Sequence, residues 1–191
     1  TGTQEADTLT GGSSYDKLFG LDGDDILGGD QASTDYSGSY EIGALYRGND
    51  YYGGLGNDTL RGTKYSDHYI FNAGDGQDII QEYSTLTSTS EASDQIIMGE
   101  GITANDLQIT NDGNSLIINF ANSTDQIQVE NWYVDDYNRI ESISFADNTE
   151  MDQTTIHNQG LTSIIGTDDS ETIVGIGKHN TLYARAGDDV L

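Results

Sequence analysis

Cysteine is absent from this 191-residue chain, so no disulfide framework holds it and the redox compartment cannot be read from that count. Positive charge is scarce as well: 7 Lys and Arg stand against 33 Asp and Glu, giving a net charge of -26 and a pI near 4.1. Such a surface repels nucleic acid and anionic membranes, and its natural partner is a cation. No apolar run is long enough to span a bilayer, and no amino-terminal signal peptide is present. Catalytic signatures are missing too. Neither Gly-x-Ser-x-Gly nor His-Glu-x-x-His occurs, and His68, His157 and His179 sit in unrelated contexts, so this segment is not expected to be an enzyme.

What the chain does have is glycine and a nine-residue rhythm. By composition alone, 34% hydrophobic residues and 24 glycines would suit a half-disordered chain, yet 12 tyrosines and a patterned middle argue for folding under the right condition. Turns run from Gly2 to Thr10, Gly11 to Phe19 and Gly20 to Gly28, with Asp7, Asp16 and Asp25 in the sixth place and Leu9, Leu18 and Leu27 in the eighth. The frame breaks and then returns at Gly53 to Arg61 (Asp58, Leu60) and Gly62 to Ile70 (Asp67, Tyr69), and repeats around Asp78 and Ile80 after two extra residues. Asp50 lies eight residues before Asp58 and reads as a slipped turn. A second block from Gly166 places Glu171, Asn180 and Asp189 in the aspartate slot, followed by Ile173, Leu182 and Leu191.

The residue types suit calcium, a hard cation that takes about six to eight oxygens. Glycine permits the left-handed angles of a sharp turn and lets main-chain carbonyls point inward, so Gly12, Gly23, Gly54, Gly56 and Gly76 are candidate carbonyl donors. The candidate carboxylates are Asp7, Asp16, Asp25, Asp50, Asp58, Asp67, Asp78 and Asp189, with Glu171 and Asn180 as weak members. The residues after each aspartate form a very short strand with its aliphatic side chain turned inward. Ordering nine backbone residues costs more than one buried leucine returns. Two carboxylates about 4 Å apart also repel by roughly 4 kcal/mol at an effective dielectric near 20, which a divalent cation turns into attraction. In the acidic pairs Asp24–Asp25 and Asp188–Asp189, the second member is the expected ligand and the first a solvated turn residue.

The repeat resembles the RTX nonapeptide, a calcium-binding β-roll unit. That resemblance implies two nonapeptides per coil with ions between turns on the same side, so that Asp7 faces Asp25 and Asp58 faces Asp78. It further implies secretion through a type I exporter to an extracellular or cell-surface location, with folding when calcium fills the turns.

From Asp94 to Ile156 glycine thins out and alternating stretches appear at Asp94, Ser115, Gln126 and Arg139, which read as antiparallel strands, with a hairpin signal at Asn111 to Asn114. With its AsnTrpTyr, ArgIleGlu and PheAlaAsp elements this stretch is similar to the haemolysin-type calcium-binding related domain, whose implied role is an apolar cap in which Trp132 and Tyr133 are core or interface residues.

The expected architecture is therefore all-β: a parallel β-roll over 1–83 with an inserted loop at about 30–49, a linker at 84–93, an antiparallel β-sandwich-like capping domain over 94–157, and the start of a second β-roll over 166–191. The inserted loop reads as a bulge; its alternative is a recognition loop that holds a glycan or peptide through Tyr36, Tyr40 and Tyr46. Since the chain stops inside a repeat at Val190–Leu191, it reads as part of something longer. The expected function is that of a calcium-binding RTX segment of a larger secreted protein. A calcium-dependent adhesion module of a surface adhesin, or the accessory RTX module of an extracellular enzyme, is the alternative.

Overall fold

A computed structural model describes residues 1–12, 15–28, 47–63, 65–82, 93–165, 169–170, 172–173 and 181–190. The sequence rhythm becomes short strands laid alternately in two sheets: β1 (Thr8–Thr10), β2 (Lys17–Asp22), β3 (Ile26–Gly28), β4 (Arg47–Leu55), β5 (Thr59–Arg61), β6 (Ser66–Phe71) and β7 (Gln77–Gln81). Odd-numbered strands of this set pair in parallel with one another, and so do the even-numbered ones. Each full coil thus crosses from one sheet to the other and back. Register stacks like on like: Leu9, Leu27, Leu60 and Ile80 form one inward column, and Leu18, Tyr51 and Tyr69 face them from the other sheet. Most of these side chains are fully buried, because the period of two that turns the slot residue's second neighbour inward repeats in every coil.

The central segment adds β8 (Gln95–Met98), β9 (Leu107–Asn111), β10 (Leu116–Phe120), β11 (Gln126–Val129), β12 (Ser142–Ser144) and β13 (Glu150–Asp152). Its hairpin β9–β10–β11 is antiparallel, and the turn between β9 and β10 is closed by Asp112 Oδ1, which accepts from the backbone of Asn114 and Ser115, with Gly113 at φ +103. β13 is likewise antiparallel to β12, but three pairings differ from the antiparallel expectation. β8 and β12 extend the even sheet in parallel after β6, and β11 lies parallel to β7. Alternation reports which face is buried and carries no information on direction; direction follows from the chain re-entering each sheet as the coils below it do.

A helix unannounced by the sequence, α1 (Gln153–Leu161), covers the sheet through Ile156 and Gly160. Its first turn is capped by Asp152, whose side chain accepts from Thr155 N at 2.8 Å. Gly160 is required by packing, since a Cβ there would run into Leu116 and the Tyr133 hydroxyl. Beyond it β14 (Ser163–Ile165) joins the edge of β9, and β15 (Thr181–Tyr183) pairs in parallel with β14. Among the described residues the sheets are nine-stranded, β1-β3-β5-β7-β11-β10-β9-β14-β15, and six-stranded, β13-β12-β8-β6-β4-β2.

Trp132 is completely buried, and its indole N–H donates to His157 Nδ1 at 3.1 Å, tying the central core to α1. Replacing Trp132 by Phe is expected to lower unfolding stability by about 2 kcal/mol through lost volume and an orphaned acceptor. Bound calcium should be unchanged. Urea titration in saturating calcium, paired with metal analysis after dialysis, checks both halves.

Candidate metal centre

Stacking coils in register stacks their slot residues. On one side of the roll Asp7, Asp25, Asp58 and Asp78 form a row in which each backbone N–H donates to the next carboxylate: Asp7 N to Asp25 Oδ1 at 2.7 Å, Asp25 N to Asp58 Oδ1 at 2.7 Å, and Asp58 N to Asp78 Oδ1 at 2.9 Å. On the other side the row runs Asp16, Asn49, Asp67, Asp94, Glu141, linked in the same way at 2.8, 2.6, 2.8 and 2.6 Å. Asp50 belongs to neither row. Asn49, nine residues before Asp58, takes the slot, so Asp50 falls one place later in β4 and points to the outer face. There Lys17 and His68 bind it, each at 2.9 Å.

The rows are buried, and burial sets their electrostatics. Asp25, Asp58, Asp67, Asp78 and Asp94 are all less than a tenth exposed. Desolvation raises Asp25, and raises Asp58 to about 6 with the Asp25 and Asp24 carboxylates adding to the effect. It pushes Asp78 to about 8, helped by Asp58, Asp75 and Asp125. Asp67 is lifted to about 6 by burial against hydrogen bonds from Asn49 and Thr63. Asp94 and Glu82 also rise, first through burial and then through each other's acidic neighbours. Asp50 is the exception. Burial pulls it up, but hydrogen bonds from Tyr15, Lys17 and His68 leave it below the usual carboxylate range.

Two features fit a hard cation. Asp25 Oδ2 and Asp58 Oδ2 are buried with no hydrogen-bond partner, a cost that an ion with oxygen ligands removes. The glycines beside them are required: a Cβ at Gly20 would collide with Asp25 Oδ2 and the Gly53 carbonyl oxygen, and one at Gly53 would collide with Asp58 Oδ2. Among the described residues, Asp67, Glu82 and Asp94 also bring one oxygen each to within 4.8 Å of one another.

Of the glycines named from the sequence, Gly12 lies beside a slot carboxylate and the other four do not. Gly23, Gly56 and Gly76 stack in a column, with the Gly23 carbonyl against Gly56 and the Gly56 carbonyl against Gly76, while Gly54 abuts the Leu21 carbonyl. Gly12 donates its N–H to Asp16 Oδ2 at 2.6 Å. The first-position glycines Gly2, Gly11, Gly20 and Gly53 each lie against the carboxylate of their own turn, while Gly48 lies against Asp67 and Gly62 against Glu82; the recurrence of glycine at each turn start was the available signal. Glu82 and Asp94 had none, because neither falls in the nine-residue frame. Asp24, expected as a solvated turn residue, is exposed and also accepts from Asn57 N at 2.8 Å. In the second block Asp189 is half-buried beside the bridge between Thr172 and Val190. Glu171 and Asn180 lie outside the described residues, as do Tyr36, Tyr40 and Tyr46.

Comparison with known families places this geometry. The RTX calcium-binding nonapeptide repeat (4 copies) matches residues 1–33, 52–81 and 165–191, and the haemolysin-type calcium binding protein related domain matches 116–155. The iron-regulated protein FrpA of Neisseria meningitidis serogroup C is 31% identical over 123 residues, which is 63% of this chain and 10% of FrpA. Among solved structures, the extracellular lipase LipA from Serratia marcescens aligns with a TM-score of 0.49 and 22% identity, over 69% of this chain and 18% of that one. The chain thus spans a small part of either relative's length. With both repeat blocks matched and 116–155 matched between them, the chain is a calcium-binding RTX segment, built of nonapeptide repeats at either end and a haemolysin-type calcium binding protein related domain in the middle.

Proposed function

We propose that this segment is a calcium-driven folding unit of a longer secreted protein: poorly ordered where calcium is scarce, passed through a type I exporter, and folded outside the cell when calcium fills its rows. The observation that carries this reading is the stacked row Asp7–Asp25–Asp58–Asp78, whose inner members keep buried, unpartnered oxygens at Asp25 and Asp58. Calcium supplies the positive charge and the oxygen coordination that such a row lacks. Its ligands in this reading are the row carboxylates with the Gly20 and Gly53 carbonyls beside them, and on the other side Asp67 and Asp94 with Glu82. Asp189, in a slot of the second block, joins the ligand set of this reading, whereas Asp16, whose row neighbour is Asn49, has no second row carboxylate beside it. Export and location rest on the repeat family. No helix among the described residues is long and apolar enough to cross a membrane.

In chelator the circular dichroism of the chain should lose most of its β signal, and calcium at roughly 0.1 to 1 mM should restore it, the range of extracellular modules. An unchanged spectrum in chelator sinks the folding reading. Asp58→Asn should reduce bound calcium and raise the concentration needed for folding, while Glu100→Gln, on a turn outside both rows, should change neither.

A further inference from the structure

The two rows differ at one coil. Four aspartates follow one another on the first side, but Asn49 stands between Asp16 and Asp67 on the second. Its amide serves the backbone and the core: Oδ1 accepts from Asp16 N at 2.8 Å, and Nδ2 donates to the Tyr51 hydroxyl at 3.2 Å. Asn49 brings no charge, so the repulsion that drives the first side to bind an ion is missing around it.

The displaced carboxylate, Asp50, is used differently. Lys17 in β2 and His68 in β6 are its register partners on either side, and both reach it at 2.9 Å while the Tyr15 hydroxyl donates to its second oxygen. One carboxylate therefore ties three coils. Aromatic rings run along the same strands, Phe19 stacked on Tyr52 at 4.5 Å outside and Tyr51 on Tyr69 at 5.3 Å inside. In the other sheet the positions equivalent to Lys17, Asp50 and His68 are Thr8, Ile26, Thr59 and Ile79, which carry no charge, and those equivalent to Phe19 and Tyr52 are Thr10, Gly28, Arg61 and Gln81, which carry no ring but include the hydrogen bond from Arg61 to Gln81. Partly exposed ion pairs are individually modest; here three groups share one acceptor and are backed by stacked rings.

We infer that the roll is closed in two ways: calcium alone holds the Asp7–Asp25–Asp58–Asp78 side, whereas the Asn49 coil takes no ion and is held by the Asp50 brace, keeping its order when the metal is withdrawn. This rests on the calcium reading of the rows given above. It makes β2, β4 and β6 a pre-ordered strip on which the other side closes.

Amide hydrogen exchange of the whole chain, in chelator and then in calcium, tests it. In chelator, Leu18, Tyr51 and Tyr69 should stay at least about tenfold more protected than Leu27, Leu60 and Ile80, and calcium should remove the difference. Equal protection of the two sets in chelator overturns the inference. If both sets are unprotected, calcium-driven folding still stands; if both are protected, that reading falls as well. Two variants separate ligand from brace. Asn49→Asp should add about one bound calcium per chain, and Asp50→Asn should leave bound calcium unchanged while erasing the chelator-state protection of β2, β4 and β6. No gain in the first variant, or lost calcium in the second, refutes the assignment.

Discussion

In chelator the chain is expected to be most stable at about pH 4 to 5 and to weaken steadily as the pH climbs toward about 8, the reverse of ordinary acid denaturation. The cause is the buried rows. Asp58 and Asp67 are raised to about 6 and Asp78 to about 8, chiefly by burial. A carboxylate raised in the folded state holds its proton more tightly there than in the unfolded chain. Its contribution is complete below the unfolded value near 4 and is lost as pH rises through the folded one. Asp50 acts in the opposite sense, because its lowered folded value adds stability that disappears only in stronger acid. Summed over the two rows, the swing between about pH 5 and pH 8 should exceed roughly 3 kcal/mol. Calcium inverts the trend, since the ion requires the ionised carboxylates and must displace their protons. Urea midpoints measured from pH 4.5 to 8 with and without calcium give the answer; midpoints that rise with pH in chelator would contradict it.

Gly54→Ala should abolish the amino-terminal roll even in saturating calcium, at a cost above about 4 kcal/mol. Gly54 sits at φ +104, and a Cβ there would overlap the carbonyl oxygen of Leu21 in the coil beneath. Nothing soft can yield. The neighbouring atom is backbone, held in the β2–β4 ladder by the register of Leu21 with Gly54. Gly74→Ala separates this clash from backbone strain, because Gly74 also has positive φ, at +94, but has no atom within 4 Å of its would-be Cβ. Only the left-handed backbone penalty of about 1 to 2 kcal/mol applies there. Equal destabilisation of the two variants, measured by denaturant in calcium, would mean that the coils are not packed this closely.

Much of the roll was legible in the chain because a coil of fixed length converts spacing into position. Nine residues carry the backbone halfway round, so within each uninterrupted run alternate slots fall on opposite sides, Asp7 and Asp25 against Asp16, and Asp58 against Asp67, and the aliphatic residues two places on turn inward. Acidity without cysteine or basic charge pointed to a cation by electrostatics alone. What the tertiary structure decided was every feature that depends on a neighbour from another coil. Asn49 rather than Asp50 fills the slot, as counting nine back from Asp58 already places it, and the ladder to Asp16 and Asp67 joins that coil to the one before the interruption, which spacing cannot do. Glu82 reaches Asp67 and Asp94 from outside the frame. β8, β11 and β12 run parallel to the roll because they continue its sheets, a direction that alternation along one strand does not encode. The first-position glycines adjoin the carboxylate five residues on in their own turn, a local contact, and what stacking adds is the carbonyl oxygen of the next coil, Gly20 against Gly2 and Gly53 against Gly20.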